Sequence, residues 1–343
     1  MVGLFRGIAA ALVALALVSG IAPVQGANPK ITIAVGGEGC LCYLPAVLAE
    51  QLGEFDKAGV DVEMVSFSGG SQALTALLAA AQRLSRATTI TASISPARGQ
   101  ALTSFVVYNR YPGYALVVAP NQQITSIKDL AGKKIGVSAP GSSTDFFLKY
   151  ILAKNGVDPN SVAIIGVGVA ATAVAAMEYG SVDAAIMIDP AITILESRYP
   201  DLTILDDTRT QQDTLDVFGG EYPGGALYAR TDWLAKNEAT VQALTNAMVA
   251  TLDWMESHTP EEIMAQLPDE IVGPDKALYL AALKHSMPMF STTGLMDPKG
   301  AEAVLAVFSQ SVPEVAAAHI DLSKTYTNRF VEAADTGTAT PAQ

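Results

Sequence analysis

Gly69-Gly70-Ser71 and Gly141-Ser142-Ser143-Thr144 are the two places in this 343-residue chain where residue type and spacing offer chemistry. Each follows a strand-like run, Val60 to Phe67 in the first case and Lys134 to Val137 in the second. Each opens an apolar helical segment. A helix start leaves backbone N–H groups without partners and carries the positive end of the helix dipole. Glycine lets a ligand approach the backbone closely, and serine or threonine adds hydroxyl donors. Each stretch therefore reads as a small neutral anion receptor. Two such receptors, about seventy residues apart, suggest a ligand gripped from two sides.

Other chemistry is thin. The two cysteines, Cys40 and Cys42, stand one residue apart and cannot staple distant parts of a fold. They form either a local disulfide in an oxidising compartment or, the reading favoured here, two small side chains in a tight loop. His258, His285 and His319 are scattered without ligand spacing, so no metal is assigned. Neither a nucleophile elbow nor a Ser–His–Asp arrangement is evident, so no catalytic residue and no cofactor are assigned.

The elements that must position the two receptors alternate in type. Ile31 to Val35 is a β-branched run followed by the Gly-rich loop Gly36 to Gly39, and Tyr43 to Leu52 has helical spacing that stops at Gly53. A second strand, Val60 to Phe67, precedes the helix Leu74 to Ala80. Strands Phe105 to Tyr108 and Ala115 to Val118 flank the turn Arg110-Tyr111-Pro112-Gly113. A second set follows: strand Ile135 to Val137, helix Ser143 to Asn155, strand Ala163 to Val167, helix Thr172 to Tyr179, strand Val182 to Ile188 and helix Asp189 to Glu196. Repeated strand–helix units with apolar strands predict an α/β protein of two lobes, each a mostly parallel sheet flanked by helices. Ala226 to Ala229 reads as a strand returning the chain to the first lobe, and the pattern is helical from Trp233. The expected division is residues 27–118 plus 226–333 for the first lobe with its C-terminal helices, 119–225 for the second, and a frayed tail at 334–343. Ligands of open α/β sheets sit at the carboxyl ends of strands. The loops there are Gly36 to Tyr43, Ser68 to Ser71, Ala139 to Thr144 and the Asp189-Pro190 turn.

Residues 1–26 read as an export signal. Arg6 supplies the positive n-region, Ile8 to Val18 the apolar stretch, and Val24 and Gly26 the small residues before a cut at Ala27. A spanning helix needs about 20 apolar residues, and Gly20, Pro23 and Gln25 interrupt this stretch. The expectation is a soluble periplasmic protein and a monomer. The net charge of −13 becomes −14 without Arg6, with 20 basic side chains against 34 acidic ones. So acidic a chain is poorly suited to nucleic acid or an anionic membrane surface. A small anionic ligand stays open to it, because helix starts act locally.

The order of short motifs resembles a known family. Tyr43-Leu44-Pro45, Gly53-Glu54-Phe55, Gly59-Val60-Asp61-Val62 and Gly69-Gly70-Ser71 are followed by Arg110-Tyr111-Pro112-Gly113 and by Lys128-Asp129-Leu130-Ala131-Gly132-Lys133-Lys134-Ile135-Gly136-Val137. Gly141-Ser142-Ser143-Thr144, Gly180-Ser181-Val182-Asp183-Ala184 and Asp189-Pro190 complete the series. Together they resemble the periplasmic solute-binding proteins of nitrate, sulfonate and taurine ABC importers, a superfamily shared with thiamine-precursor binders. The resemblance implies a type II periplasmic-binding-protein fold, a ligand cleft between two lobes, closure on binding, and a membrane permease as partner. Carried over by position, the candidate ligand contacts are Gly39, Cys40 and Tyr43, Gly70 and Ser71 from the first lobe, and Ser142, Ser143, Thr144 and Asp189 from the second. Alternatives are a binder of a pyrimidine precursor or aromatic acid, where Tyr43 or Tyr222 could meet a ring, or a related pyrimidine-forming enzyme. A ligand-sensing domain of a regulator is disfavoured by the export signal.

One segment departs from the family pattern. An apolar strand followed by something like Gly-Tyr-Tyr-Asp-His is expected ahead of Ala97 to Gln100, and the chain instead reads Gln82-Arg83-Leu84-Ser85-Arg86-Ala87-Thr88-Thr89-Ile90-Thr91-Ala92-Ser93. Read one nucleotide earlier, codons for Ala87 to Ala92 give Gly-Tyr-Tyr-Asp-His-Ser with suitable third bases. A compensated frameshift across about residues 81–97 is the hypothesis. A coding sequence whose shifted frame lacks that string rejects it.

Overall fold

The computed structural model describes residues 28–79, 83–87, 99 and 101–335. The export signal expected at 1–26, and most of the 81–97 segment, lie outside the described residues. So do residues 336–343, whereas 334–335 end the helix Arg329–Asp335. Among the described residues no helix is long and apolar enough to cross a membrane.

Among the described residues ten strands form two sheets: β1 (Lys30–Val35), β2 (Asp61–Ser66), β3 (Arg83–Ala87), β4 (Leu102–Asn109), β5 (Tyr114–Val118), β6 (Lys134–Val137), β7 (Ala163–Gly166), β8 (Ala184–Ile188), β9 (Ile204–Asp207) and β10 (Gly225–Arg230). The first sheet runs β2-β1-β3-β10-β4 and the second β7-β6-β8-β5-β9. The interior strand β5 is a continuous apolar run with every residue buried, and β4, at one edge of the first sheet, is buried along its whole length too. The opposite edge strand β2 exposes Asp61, Glu63 and Ser66, the polar edge expected of a strand with one unpaired side. β3 fills the central place that the divergent segment left in question, as backbone pairing with β1 and β10.

Two sequence expectations are corrected. β5 pairs with β8 and β9 in the second sheet, so 114–118 leave the first lobe and the crossing falls at Arg110 to Gly113. Each sheet is mostly parallel, as expected, with one strand reversed: β10 runs antiparallel to β3 and β4, and β5 to β8 and β9. This follows from the crossings, since a chain leaving one sheet enters the other in the opposite sense. The C-terminal helices also divide between lobes. The helix Glu238–Ser257 buries Val241, Leu244 and Met248 against the first sheet's core with Phe105. The helix Pro298–Ser311 buries Val304, Val307 and Phe308 among second-lobe residues instead, and Phe308 meets Phe146 edge-on with ring centroids 5.2 Å apart.

The return crossing packs directly on the outward one. A Cβ at Gly224 would stand 2.3 Å from the carbonyl oxygen of Tyr111 and 2.6 Å from Cα of Pro112, so only glycine lets the two crossing segments touch.

Candidate functional site

From here the helices α1 (Leu44–Gln51), α2 (Gly70–Ala79), α3 (Ser143–Lys154), α4 (Ala171–Glu178) and α5 (Ala191–Arg198) position the site. α2 follows β2 and α3 follows β6, so both start at the carboxyl ends of strands. Gly70 at the start of α2, and Ser143 and Thr144 at the start of α3, line one hollow between the lobes. Its volume is about 20 Å³.

The first-lobe wall is set by Gly36 just after β1. A Cβ there would lie 2.6 Å from the Gly70 amide nitrogen and 2.9 Å from the Tyr43 hydroxyl. A bare glycine thus lets the amide and the phenol converge. The second-lobe wall is a turn closed by its own hydroxyls. Gly141 supplies a left-handed residue (φ +78°) and Ser142 an extended N-cap. Ser138 N–H donates to Thr144 Oγ1 at 2.9 Å, and the Ser138, Ser142 and Thr144 hydroxyls stand 2.8–2.9 Å from one another. Ser142 gives no side-chain cap to the first turn of α3, so the amides of that turn lack the usual internal acceptor. Tyr114 donates its hydroxyl to Ser143 Oγ at 2.7 Å. Burial pushes the Tyr114 phenol well above its ordinary range against the opposing pull of that bond, so it stays a donor and leaves the Ser143 proton free to turn toward a ligand.

Asn109, at the carboxyl end of β4, is 2 % exposed and also lines the hollow. Its Nδ2 donates to the Cys42 carbonyl at 2.9 Å, which fixes the amide's orientation. Its Oδ1 has no partner among the described residues. None of the described residues lining the hollow carries a charge. The site therefore presents amide and hydroxyl donors with one orphan acceptor, and its attraction for an anion rests on two helix dipoles.

The residues singled out from sequence are not all brought together. Tyr43, Gly70, Ser143 and Thr144 line the hollow, while Ser142 lies one layer behind it in the hydroxyl cluster. Ser71 sits at the seam, its Cβ 3.7 Å from the place a Cβ on Gly141 would take. Gly39 borders a separate outer groove. Cys40 is buried in the first lobe and disulfide-bonded to Cys42, which corrects the reading of two reduced side chains in a tight loop. Asp189 faces inward: its carboxylate accepts the Thr193 N–H at 2.9 Å and hydroxyl at 2.8 Å, capping α5. Burial raises its pKa against those two bonds. Its main chain nevertheless reaches across the lobes, where the Leu41 N–H donates to the Asp189 carbonyl at 3.0 Å. Tyr222 belongs to the second lobe's core and stacks on Phe218 at 3.9 Å. Tyr108, Asn109, Tyr114 and Ser138 were missed; the signal was their place at strand ends beside the predicted crossing and loop.

The family model described as "NMT1/THI5 like" matches residues 43–263. A solved structure of a protein from Bordetella bronchiseptica RB50 is 36 % identical and superposes with a TM-score of 0.86, covering 91 % of this chain and 98 % of its own. The alkanesulfonate-binding protein SsuA from Xanthomonas axonopodis pv. citri, solved bound to MOPS, is 19 % identical with a TM-score of 0.70 over 88 % of this chain and 98 % of its own. The periplasmic nitrate-binding protein NrtA from Synechocystis PCC 6803 is 15 % identical with a TM-score of 0.64 over 91 % and 89 %. The last two likenesses show the fold: two α/β lobes facing across a cleft, as in periplasmic binding proteins.

Proposed function

The chain belongs to the NMT1/THI5-like family, and from that premise we propose that it is the extracytoplasmic solute-binding component of an ABC importer, holding a small anion of the sulfonate or nitrate kind. One observation carries the reading: helix starts from opposite lobes, at Gly70 and Ser143, converge on one uncharged hollow lined by hydroxyls. Each half-site is incomplete when the lobes are apart, so the ligand stabilises the closed state by bridging them. The alkanesulfonate- and nitrate-binding proteins of the same fold support the ligand class. Residues 1–26 would carry the chain to the periplasm, where a membrane permease receives the loaded monomer.

Thermal denaturation with a panel of nitrate, methanesulfonate, taurine and aromatic acids tests this. A binder gains RT ln(1 + [L]/Kd) of stability, about 2.7 kcal/mol at a hundredfold excess over Kd, with no product formed. Absence of stabilisation by every anion in the panel rejects the reading. The orphan Asn109 acceptor and the tyrosine lining favour a second one, a ring-bearing pyrimidine precursor that offers an N–H. Stabilisation by an aminopyrimidine, with none by anions, would select it.

A further inference from the structure

A groove of about 1110 Å³ runs beside the hollow, bounded by residues 37–39 of the first lobe, 166–172 of the second, and 270–279 of the C-terminal helices. Ile194, Ile271, Leu278 and Tyr279 give it an apolar side. Among the described residues Val169 alone borders both spaces. Its isopropyl group presses on the opposite lobe, where a Cβ on Gly37 would lie 2.3 Å from Val169 Cγ2. Gly37 has φ +117°, a conformation open to glycine but not to side-chain-bearing residues.

Val169 is firmly held. Thr172 Oγ1 donates to the Val169 carbonyl at 2.8 Å. Gly168 before it has φ +72°, and Ala170 after it combines φ 49° with ψ −126°, a sparsely populated conformation for alanine. Valine is also stiff about χ1, so the side chain has little freedom to swing aside. A head group in the hollow and a tail in the groove can be joined only past this side chain.

We propose that Val169 is a partition that sets ligand length: it confines the site to compact anions and closes the apolar groove to any attached tail. The assignment of a specificity-determining residue rests on the anion-receptor reading above. Titration calorimetry with methanesulfonate, butanesulfonate and octanesulfonate on wild type, Val169→Ala and Val169→Gly tests it. Wild-type affinity should fall by about tenfold or more from the one-carbon to the eight-carbon ligand. Trimming the side chain should recover about that tenfold for octanesulfonate while leaving methanesulfonate within about threefold. An unchanged chain-length ratio in both variants, or a wild type indifferent to chain length, overturns the partition alone. Failure of wild type to bind any of the three, or nitrate, rejects the anion-receptor reading together with it.

Discussion

At the scale of single residues, the hollow owes its character to neutral groups held in fixed directions. Ser143 accepts from Tyr114 and keeps a proton to give; Ser71 stands at the seam. Ser143→Ala should therefore weaken ligand binding about tenfold, or 1.4 kcal/mol, while Ser71→Ala changes it little; equal effects by calorimetry would contradict that division. A second residue bears on stability instead. Burial raises the Asp206 carboxyl to about 6, with Asp207 and Asp213 adding repulsion and Lys154 opposing them. A folded-state pKa above the unfolded one favours the protonated form. Stability from this group is therefore full below about pH 3.8 and is lost as pH rises through about 6. Asp206→Asn should gain on the order of 1 kcal/mol at pH 8, after allowance for partial solvent screening, and nothing below pH 4. A gain independent of pH in urea titrations would exclude this cause. Gly70 and Ser143 were legible because glycine and hydroxyls after a strand announce a helix start. Asn109 and Tyr114 were hidden because they close or open fully buried strands, where an asparagine reads as an end and a tyrosine as core.

At the scale of elements, alternation of apolar runs with helical spacing exposed most strands and helices, since burial on both faces dictates that pattern. It could not say which sheet a strand joins. Ala115 to Val118 is as apolar as any first-lobe strand, and only its pairing with β8 and β9 assigns it. β9 and the following helix Gln211–Phe218 went unread because Asp206 and Asp207 break the apolar run. The helix Pro298–Ser311 teaches the same lesson, since its amphipathic spacing does not reveal which lobe receives its apolar face. Phe308, 1 % exposed, meets Phe146 across that contact. Phe308→Ala should cost about 3–5 kcal/mol and loosen the second lobe's exchange-protected amides along α3. Confinement of the loss to first-lobe amides would contradict the contact.

At the scale of the whole molecule, closure is limited by how nearly two backbones approach. A Cβ on Gly69 would stand 2.6 Å from that of Ala139 and 3.2 Å from its amide nitrogen, across the cleft. Gly69→Val should fold normally yet hold the lobes apart. Ligand affinity should drop by more than about tenfold, and small-angle scattering should show no compaction at saturating ligand. Wild-type affinity in that variant would mean that the lobes need not meet there.

The interleaved strand order has a consequence for the newborn chain. Synthesis proceeds from the N-terminus, yet β10, which sits between β3 and β4, is made only at residues 225–230. The second sheet lies entirely within residues 114–207 and is complete before that. Until β10 emerges, the segment Leu102–Asn109, wholly buried in the finished fold, has no neighbouring strand to pair with. In that interval the segment is open to aggregation and in need of a chaperone's shelter.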